Sequence, residues 1–510
     1  MNSKNYNNEL EKQQYFFKKW RADWNTFVSD VLKANLDKEQ QAIIRAVQHE
    51  PMVAVASGTA RGKDFVAACA ALCFMYLTPR WNRKGELVKN TKIALTAPSN
   101  RQVSNIMTPE VRRLFRNAQF LPGRLVADDI RTEYEEWFLT GFKAADDNTE
   151  AWSGFHAVNT MFVVTEASGI PEKVYAALEG NLQGNSRLLL VFNPNVTTGY
   201  AARAMKSDRF KKFRLNSLNA ENVKRKEQII PGQVNYEWVA DKVQTWCTPI
   251  KKDDFNEELG DFRWERKLYR PNDLFRIKVL GLFPRVSEDV LIPYDWIERA
   301  NHRWQELKET GFTPTGKASI GVDVAGMGCD SSVLAIRYSD FVEEFQVHQS
   351  GGKADHMHVV GMISNTLKSD DDLAFIDTIG EGAPVLSRLI ELGFTNCISC
   401  KFSESAKGLH DESGEYEFAN MKAYLYWALR DWLDPKNGHN AALPPDDMLA
   451  EECTETHWSL TSTGKIAIEK KDDVKQRIKR SPDRLDALAN SFYPRGGYEI
   501  TDEELHEDFL

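Results

Sequence analysis

The sequence predicts an α/β protein with two chemically distinct halves, each carrying its reactive groups at the tips of buried strands. Three observations predict it. Met52 to Ala56 is an unbroken apolar run that leads into Ser57-Gly58-Thr59-Ala60-Arg61-Gly62-Lys63-Asp64 and then into an apolar helical stretch. Met161 to Val164 is a second apolar run, and it ends in the polar pair Thr165-Glu166. In the C-terminal half, Asp323 and Asp377 close apolar runs, and Asp483 and Asp486 stand three residues apart at the start of a helical pattern.

The first run reads as a central parallel strand, because a strand covered on both faces is apolar throughout. The strand, Gly-rich loop, lysine and helix then form the context of a phosphate loop. Its glycines let backbone N–H groups approach phosphates, and the helix N-terminus favours negative charge. Ser57, Gly58 and Gly62 shape the loop, and Lys63 reaches for the outer phosphates. The usual pattern has Gly where Ser57 stands, and Ser or Thr where Asp64 stands.

The run ending at Thr165-Glu166 departs in the opposite sense. Such strands usually end in Asp-Glu, the Asp helping to hold Mg2+ and the Glu activating water. Here Glu166 is in place and a hydroxyl, Thr165, replaces the Asp. The two departures complement each other, so Asp64 and Thr165 are expected to be an exchanged Mg2+ pair that keeps the ligand set and its charge. Decay of the site is the alternative. Ile93 to Pro98 and Arg187 to Phe192 add further strands, and Asn193 falls at the sheet end where a nucleotide binds.

The remaining composition narrows the class. Hydrophobic residues at 42% and charged residues at 27% are those of a globular chain, and 510 residues allow large cores. A net charge of -9 excludes a uniformly basic nucleic-acid coat but leaves room for a local basic groove. Seven cysteines lack framework spacing and read as buried thiols; Cys397 and Cys400 form a lone CxxC in a strand-like run. The N-terminus is polar, and the longest apolar run, Phe65 to Leu77, is too short to span a bilayer. A cytoplasmic protein with no membrane partner is expected.

In the C-terminal half, Ala318 to Ala325 is a strand with Asp323 near its end. Asp330 follows a Gly-rich turn and reads as a turn residue, and Leu373 to Asp377 is another acid-tipped strand. Asp483 and Asp486 share one helix face. Acids converging from separate elements can hold two metal ions, which activate water and stabilise the leaving oxygen of a phosphodiester. Asp486 is slightly preferred over Asp483, whose Ser-Pro-Asp setting also suits a helix start. Lys470 to Arg480 is the strongest basic run; Lys470, Lys471, Lys475, Arg477, Lys479 and Arg480, with Lys465 from a hairpin before it, are expected on a phosphate backbone.

In order, Ala56 to Asp64, Thr96 to Pro98 with Arg101 and Gln102, Gly154 to Ala157 before Val163 to Pro171, Leu189 to Pro194, and Arg276 to Pro284 resemble the large terminase subunits of tailed bacteriophages. The resemblance spans residues 36 to 495. It implies an additional-strand, RecA-like P-loop ATPase domain and an RNase H-like nuclease domain. It implies ATP with Mg2+ in the first and two Mg2+ or Mn2+ in the second. It also implies adenine contact from Gln40 (or Gln41), and an arginine, Arg61 or Arg101, that neutralises the transferred phosphoryl group. Asp323, Asp377 and the Asp483/Asp486 pair are carried over as the nuclease acids.

The implied partners are double-stranded DNA, a portal protein on a procapsid, and a small terminase subunit. The chain would form a homo-oligomeric ring, a pentamer, on the portal and could be a monomer in isolation. It would work in the cytoplasm of the infected host and be absent from the mature virion. The domains expected are an arm at 1–35, an ATPase core at 36–210, a lid or linker subdomain at 211–290, a connector at 291–316, a nuclease domain at 317–497 and an acidic flexible tail at 498–510. The alternatives are a DNA-binding or capsid-assembly protein with a decayed ATPase, and a repair helicase-nuclease; only one phosphate loop is visible, which disfavours the latter.

Overall fold

The computed structural model describes residues 14–118, 120–144, 155–285, 289–326, 330–349, 351–352, 354–461 and 463–494. The acidic tail and Gly154 lie outside them. The chain divides into two compact units, Met1–Arg285 and Val286–Leu510.

The first unit is built on an eight-stranded sheet. In chain order its strands are β1 (Met52–Ser57), β2 (Thr91–Ala97), β3 (Arg124–Val126), β4 (Asp129–Arg131), β5 (Trp137–Lys143), β6 (Asn159–Thr165), β7 (Asn185–Phe192) and β8 (Lys211–Leu215). Across the sheet the order is β8-β1-β7-β6-β2-β5-β4-β3. All pairings from β8 to β5 are parallel, and β4 and β3 continue the sheet antiparallel. The strand β7 is therefore inserted between β1, which leads into the phosphate loop, and β6, which ends in Thr165. That insertion is the additional-strand arrangement, so the expected P-loop fold is present.

Two helices position the loop. Helix α1 (Lys38–His49) begins with a capping box: the Asp37 side chain accepts from Gln40 N–H, and the Gln40 side chain accepts from Asp37 N–H. Helix α2 (Lys63–Leu77) starts at the loop itself, and every residue from Val66 to Leu77 is buried. A helix apolar on all sides must lie inside, and α2 packs within the core formed by β1, β2, β6 and β7.

The second unit holds a five-stranded sheet of β9 (Ser319–Asp323), β10 (Ser331–Arg337), β11 (Gln346–Gln349), β12 (Leu373–Asp377) and β13 (Cys397–Cys400), in the order β11-β10-β9-β12-β13. The first three form an antiparallel meander, and β9, β12 and β13 are parallel. This is the RNase H-like order. Its helices are α3 (Tyr294–Glu309), α4 (His356–Thr366), α5 (Gly382–Glu391), α6 (Met421–Leu433), α7 (Asp447–Glu455), α8 (Lys471–Ile478) and α9 (Asp483–Asn490).

Gly321 decides how α9 meets this sheet. A Cβ there would lie 1.9 Å from Ala487 O, so only glycine lets the backbone of α9 rest on β9. The contact places Asp483 and Asp486 beside the tip of β9. Gly382 has the same function for α5, where a Cβ would lie 1.9 Å from Asp377 O. Cys397 and Cys400 are buried free thiols on β13, and Cys400 Sγ donates to Asn490 Oδ1. Among the described residues no helix is long and apolar enough to cross a membrane.

Candidate active sites at two sheet ends

In the first unit, Gly62 caps α2 with φ of 74°, a left-handed backbone that glycine adopts without strain. The loop is braced from outside. Gly58 N–H donates to Leu215 O (2.9 Å) and Thr59 N–H to Lys278 O (2.6 Å). Ala60 O accepts from Val234 N–H (2.9 Å) and Arg61 O accepts from Gln40 Nε2 (3.0 Å). Because a trans peptide points its C=O and N–H oppositely, these outward carbonyls turn the N–H groups of Arg61 and Gly62 the other way. Asn193 Nδ2 donates to Ser57 O (2.7 Å), tying the end of β7 to the start of the loop. Ser57 is fully buried and donates to Gly58 O.

Lys63, Asp64, Thr165 and Glu166 meet at the ends of β1 and β6. Lys63 Nζ lies 2.8 Å from Glu166 Oε1 and 3.4 Å from Asp64 Oδ2. Thr165 Oγ1 donates to Asp64 Oδ1. Burial opposes the ammonium charge of Lys63, but the Glu166 and Asp64 carboxylates outweigh it and raise its pKa above the ordinary lysine value. Glu166 has φ of 47°. A left-handed non-glycine residue costs on the order of 1 kcal/mol, and such strain collects at functional sites. A cavity of about 420 Å³ opens beside the loop, lined by Gln40, Gly58, Gly62, Lys63, Asp64 and Arg113 among others.

The two arginine expectations separate. Arg61 is not presented to a phosphoryl group. Its side chain is fully buried, with Nη1 on Asp37 and Nη2 on Glu39 at 2.6 Å each, and Nε on Asn216 O at 3.0 Å. Two carboxylates within ion-pair distance make it a brace between the loop and α1, which corrects the expectation of a catalytic role in this state. Arg101 is exposed just after β2. Both polar atoms of the Gln40 amide are occupied, on Asp37 N–H and Arg61 O, although the residue lines the cavity. Gln41 Nε2 donates instead to Leu36 O.

In the second unit, Asp323 and Asp377 stand at the tips of the adjacent parallel strands β9 and β12, with Asp483 and Asp486 in the first turn of α9. Asp377 Oδ1 accepts from Ile379 N–H (2.9 Å) and Asp483 Oδ2 from Ser331 N–H (2.9 Å). Asp486 is buried and accepts from Tyr426 Oη. Burial, reinforced by the other acids, pushes Asp323 well above the usual carboxylate range; burial is also the main cause raising Asp377 and Asp483. Four carboxylates from three elements, held this close, call for cations.

Sequence reading missed the cation that stands there. Lys471, expected on a DNA backbone, puts its Nζ 2.6 Å from Asp486 Oδ2 and 3.8 Å from Asp323 Oδ2. Only its place as the first residue of α8, shortly before α9, hinted at this. The rest of the basic run divides. Arg477, on α8, ion-pairs Glu469 (2.5 Å) and Glu455 at the end of α7 (3.6 Å), and Arg480, just past α8, pairs Glu451 (2.9 Å) and Glu452 of α7, so these two are corrected to structural roles. Lys475 pairs Asp330 and Lys465 pairs Glu417, each at 3.0 Å on the surface. Lys470 and Lys479 are exposed.

No family model matches the chain. A curated relative, the probable terminase large subunit of Enterobacteria phage P7, is 22% identical over 523 residues, covering 96% of this chain and 95% of its own. Among solved structures, the large terminase of bacteriophage HK97 is 14% identical over 90% of this chain and 95% of its own, with a TM-score of 0.34. The nuclease domain of the large terminase subunit of bacterial virus Sf6 is 22% identical over 40% of this chain and 99% of its own, with a TM-score of 0.33.

Proposed function

We infer that this chain is a large terminase subunit, an ATP-driven motor that moves double-stranded viral DNA into preformed capsids and a metal-dependent endonuclease that cuts the concatemer. The observation that carries the reading is the pairing, in one chain, of the Lys63-Asp64-Thr165-Glu166 cluster on an additional-strand sheet with the four-acid cluster on an RNase H-like sheet. Similarity along nearly the whole of both chains to the phage P7 relative supports it.

In the ATPase half, the loop N–H groups and Lys63 would bind the phosphates of ATP, and Asp64 with Thr165 would hold Mg2+. Glu166 orients and deprotonates the attacking water. Lys63 now neutralises Glu166; drawn to a phosphate, it would release that carboxylate to act as base. Asn193, tied to Ser57, carries the state of the site back to the loop. Arg101 is the arginine we assign to phosphoryl charge.

In the nuclease half, Asp323, Asp377 and the Asp483/Asp486 pair fit two Mg2+ or Mn2+ ions. The Lys471 ammonium, a cation already among them, is the observation that supports this fit. Bound ions supply Lewis acidity toward the phosphodiester. The acids would hold them, and a carboxylate oxygen not engaged with an ion would accept the proton of the attacking water. Lys465, Lys470, Lys475 and Lys479 supply phosphate-backbone contacts independent of sequence. The portal, a small terminase subunit and a pentameric ring in the host cytoplasm complete the proposal.

The test is paired. Mg2+-dependent ATP hydrolysis and Mn2+-dependent plasmid cleavage are measured for the wild type, Lys63→Ala and Asp323→Ala. Each variant should lose only its own activity. ATPase in the wild type equal to that of Lys63→Ala, in the presence of DNA and portal, would sink the motor half.

A further inference from the structure

The edge of the second sheet carries a ligand set of different chemistry. His348 on β11, Asp355 at the N-cap of α4 and His358 in its first turn each offer one ligand atom, and the three atoms lie within 4.8 Å of one another. The two imidazoles stack with centroids 3.9 Å apart and planes at 23°. His348 Nε2 is buried with no hydrogen-bond partner, and Asp355 Oδ2 lies 3.5 Å from it. The other Asp355 oxygen accepts from His358 N–H at 3.2 Å, which fixes the carboxylate.

A buried nitrogen left without a hydrogen bond is destabilising. That cost is relieved if the ring lone pairs face a common cation. We propose that His348, Asp355 and His358 form a transition-metal site of the zinc class, with two imidazoles, one carboxylate and an open position.

Ligand chemistry separates this site from the acid cluster. Asp323, Asp377, Asp483 and Asp486 offer only oxygen, which suits Mg2+ and Mn2+, whereas imidazole favours Zn2+, Co2+ and Ni2+. Position separates them as well: β11 lies beyond β10, two strand spacings or roughly 10 Å from β9. The hydrogen bond that orients Asp355 is the kind of outer-shell contact that metal ligands use. A bound ion would tie the edge strand, which among the described residues has a ladder partner only in β10, to the helix that follows it.

The experiment titrates Zn2+ into the full chain with millimolar Mg2+ present, and follows the visible bands of Co2+ as a second probe. It compares the wild type, Asp323→Asn, His348→Gln, His358→Gln and Asp355→Asn; the last keeps the helix cap. The wild type and Asp323→Asn should share one Zn2+ site of equal affinity. Each His variant should lose about tenfold or more and its imidazole-type Co2+ bands. Asp355→Asn should weaken the site, and Zn2+ should raise Tm only where the site is intact. Zn2+ binding unchanged in both His variants, lost in Asp323→Asn instead, or absent at micromolar Zn2+ in the wild type would overturn the proposal. Circular dichroism and the Tm of each variant without Zn2+ separate loss of ligand from loss of fold.

Discussion

Both units place a lysine among carboxylates at the ends of parallel strands, yet the two clusters differ in charge count and burial. At the phosphate loop, Lys63 faces Asp64 and Glu166, whose side chains keep 18% and 25% of their exposure. One ammonium meets two carboxylates, the loop N–H groups add positive potential, and the site can take an anion together with its counter-ion. At the sheet end of the second unit, Lys471 faces four carboxylates, with Asp323 at 13% and Asp486 at 1% exposure. Negative charge is in excess and poorly solvated, so the carboxyl groups of Asp323, Asp377 and Asp483 are pushed toward protonation. In the proposed reading, the same residue types serve a phosphate or a cation according to charge count and burial.

The largest expected effects follow from removing the central group of each. Lys63→Ala should lower ATP hydrolysis by about 10²- to 10³-fold and leave plasmid cleavage intact. Asp323→Ala should do the reverse.

The exchanged pair sharpens the comparison within the first cluster. Asp64→Thr and Thr165→Asp should each lower ATPase by about tenfold or more. The double exchange should recover most of it, because the ligand set and its charge return. A double variant no better than either single one would refute the exchange.

Gly321→Ala probes what holds the second cluster together. Its methyl group would collide with Ala487 O, so α9 must move off β9. A stability loss of about 3 kcal/mol is expected in denaturant unfolding of the second unit, with cleavage lost and ATPase retained.

Lys471→Ala tests whether the lysine stands in for a cation. Without metal the variant should be less stable by about 1–3 kcal/mol, since Asp486 loses its counter-charge. Mn2+ should stabilise it more than it stabilises the wild type. Equal Mn2+ responses in thermal melts would deny Lys471 that role.

The smallest effect concerns pH. Burial pushes Glu452 up to about 8 and Glu451 up to about 7, against the lowering effect of Arg480. A carboxyl group whose folded pKa is raised stabilises below its unfolded pKa and loses that contribution as pH rises through the folded value. Between about pH 5 and pH 8.5 the Tm of the wild type should therefore fall relative to Glu452→Gln.

How much of this was legible depended on whether a signal was local. The strand-loop-helix order around Lys63 and the acid at each strand tip are short-range patterns, set by apolar runs and turn chemistry. Those patterns located Asp323, Asp377, Glu166 and the paired departures at Asp64 and Thr165. At Lys471, Arg477 and Arg480 the basic run misled, because composition is blind to direction. An eight-residue helix, α8, sends Lys471 into the acids, Arg477 toward Glu469 and Lys475 toward Asp330. Arg61 misled for the same reason: its sequence neighbours are loop residues, but its partners, Asp37 and Glu39, lie more than twenty positions away.

By itself, then, the sequence determined the two α/β halves, the strand tips that carry chemistry and the residue types offered there. Periodicity and glycine placement act over a few residues and need no partner. Tertiary structure alone decided which charges meet. Ion pairing falls off within a few ångströms, and those distances are set by packing such as α9 on Gly321 and α1 against the loop. It also brought His348 on β11 together with Asp355 and His358 at the start of α4.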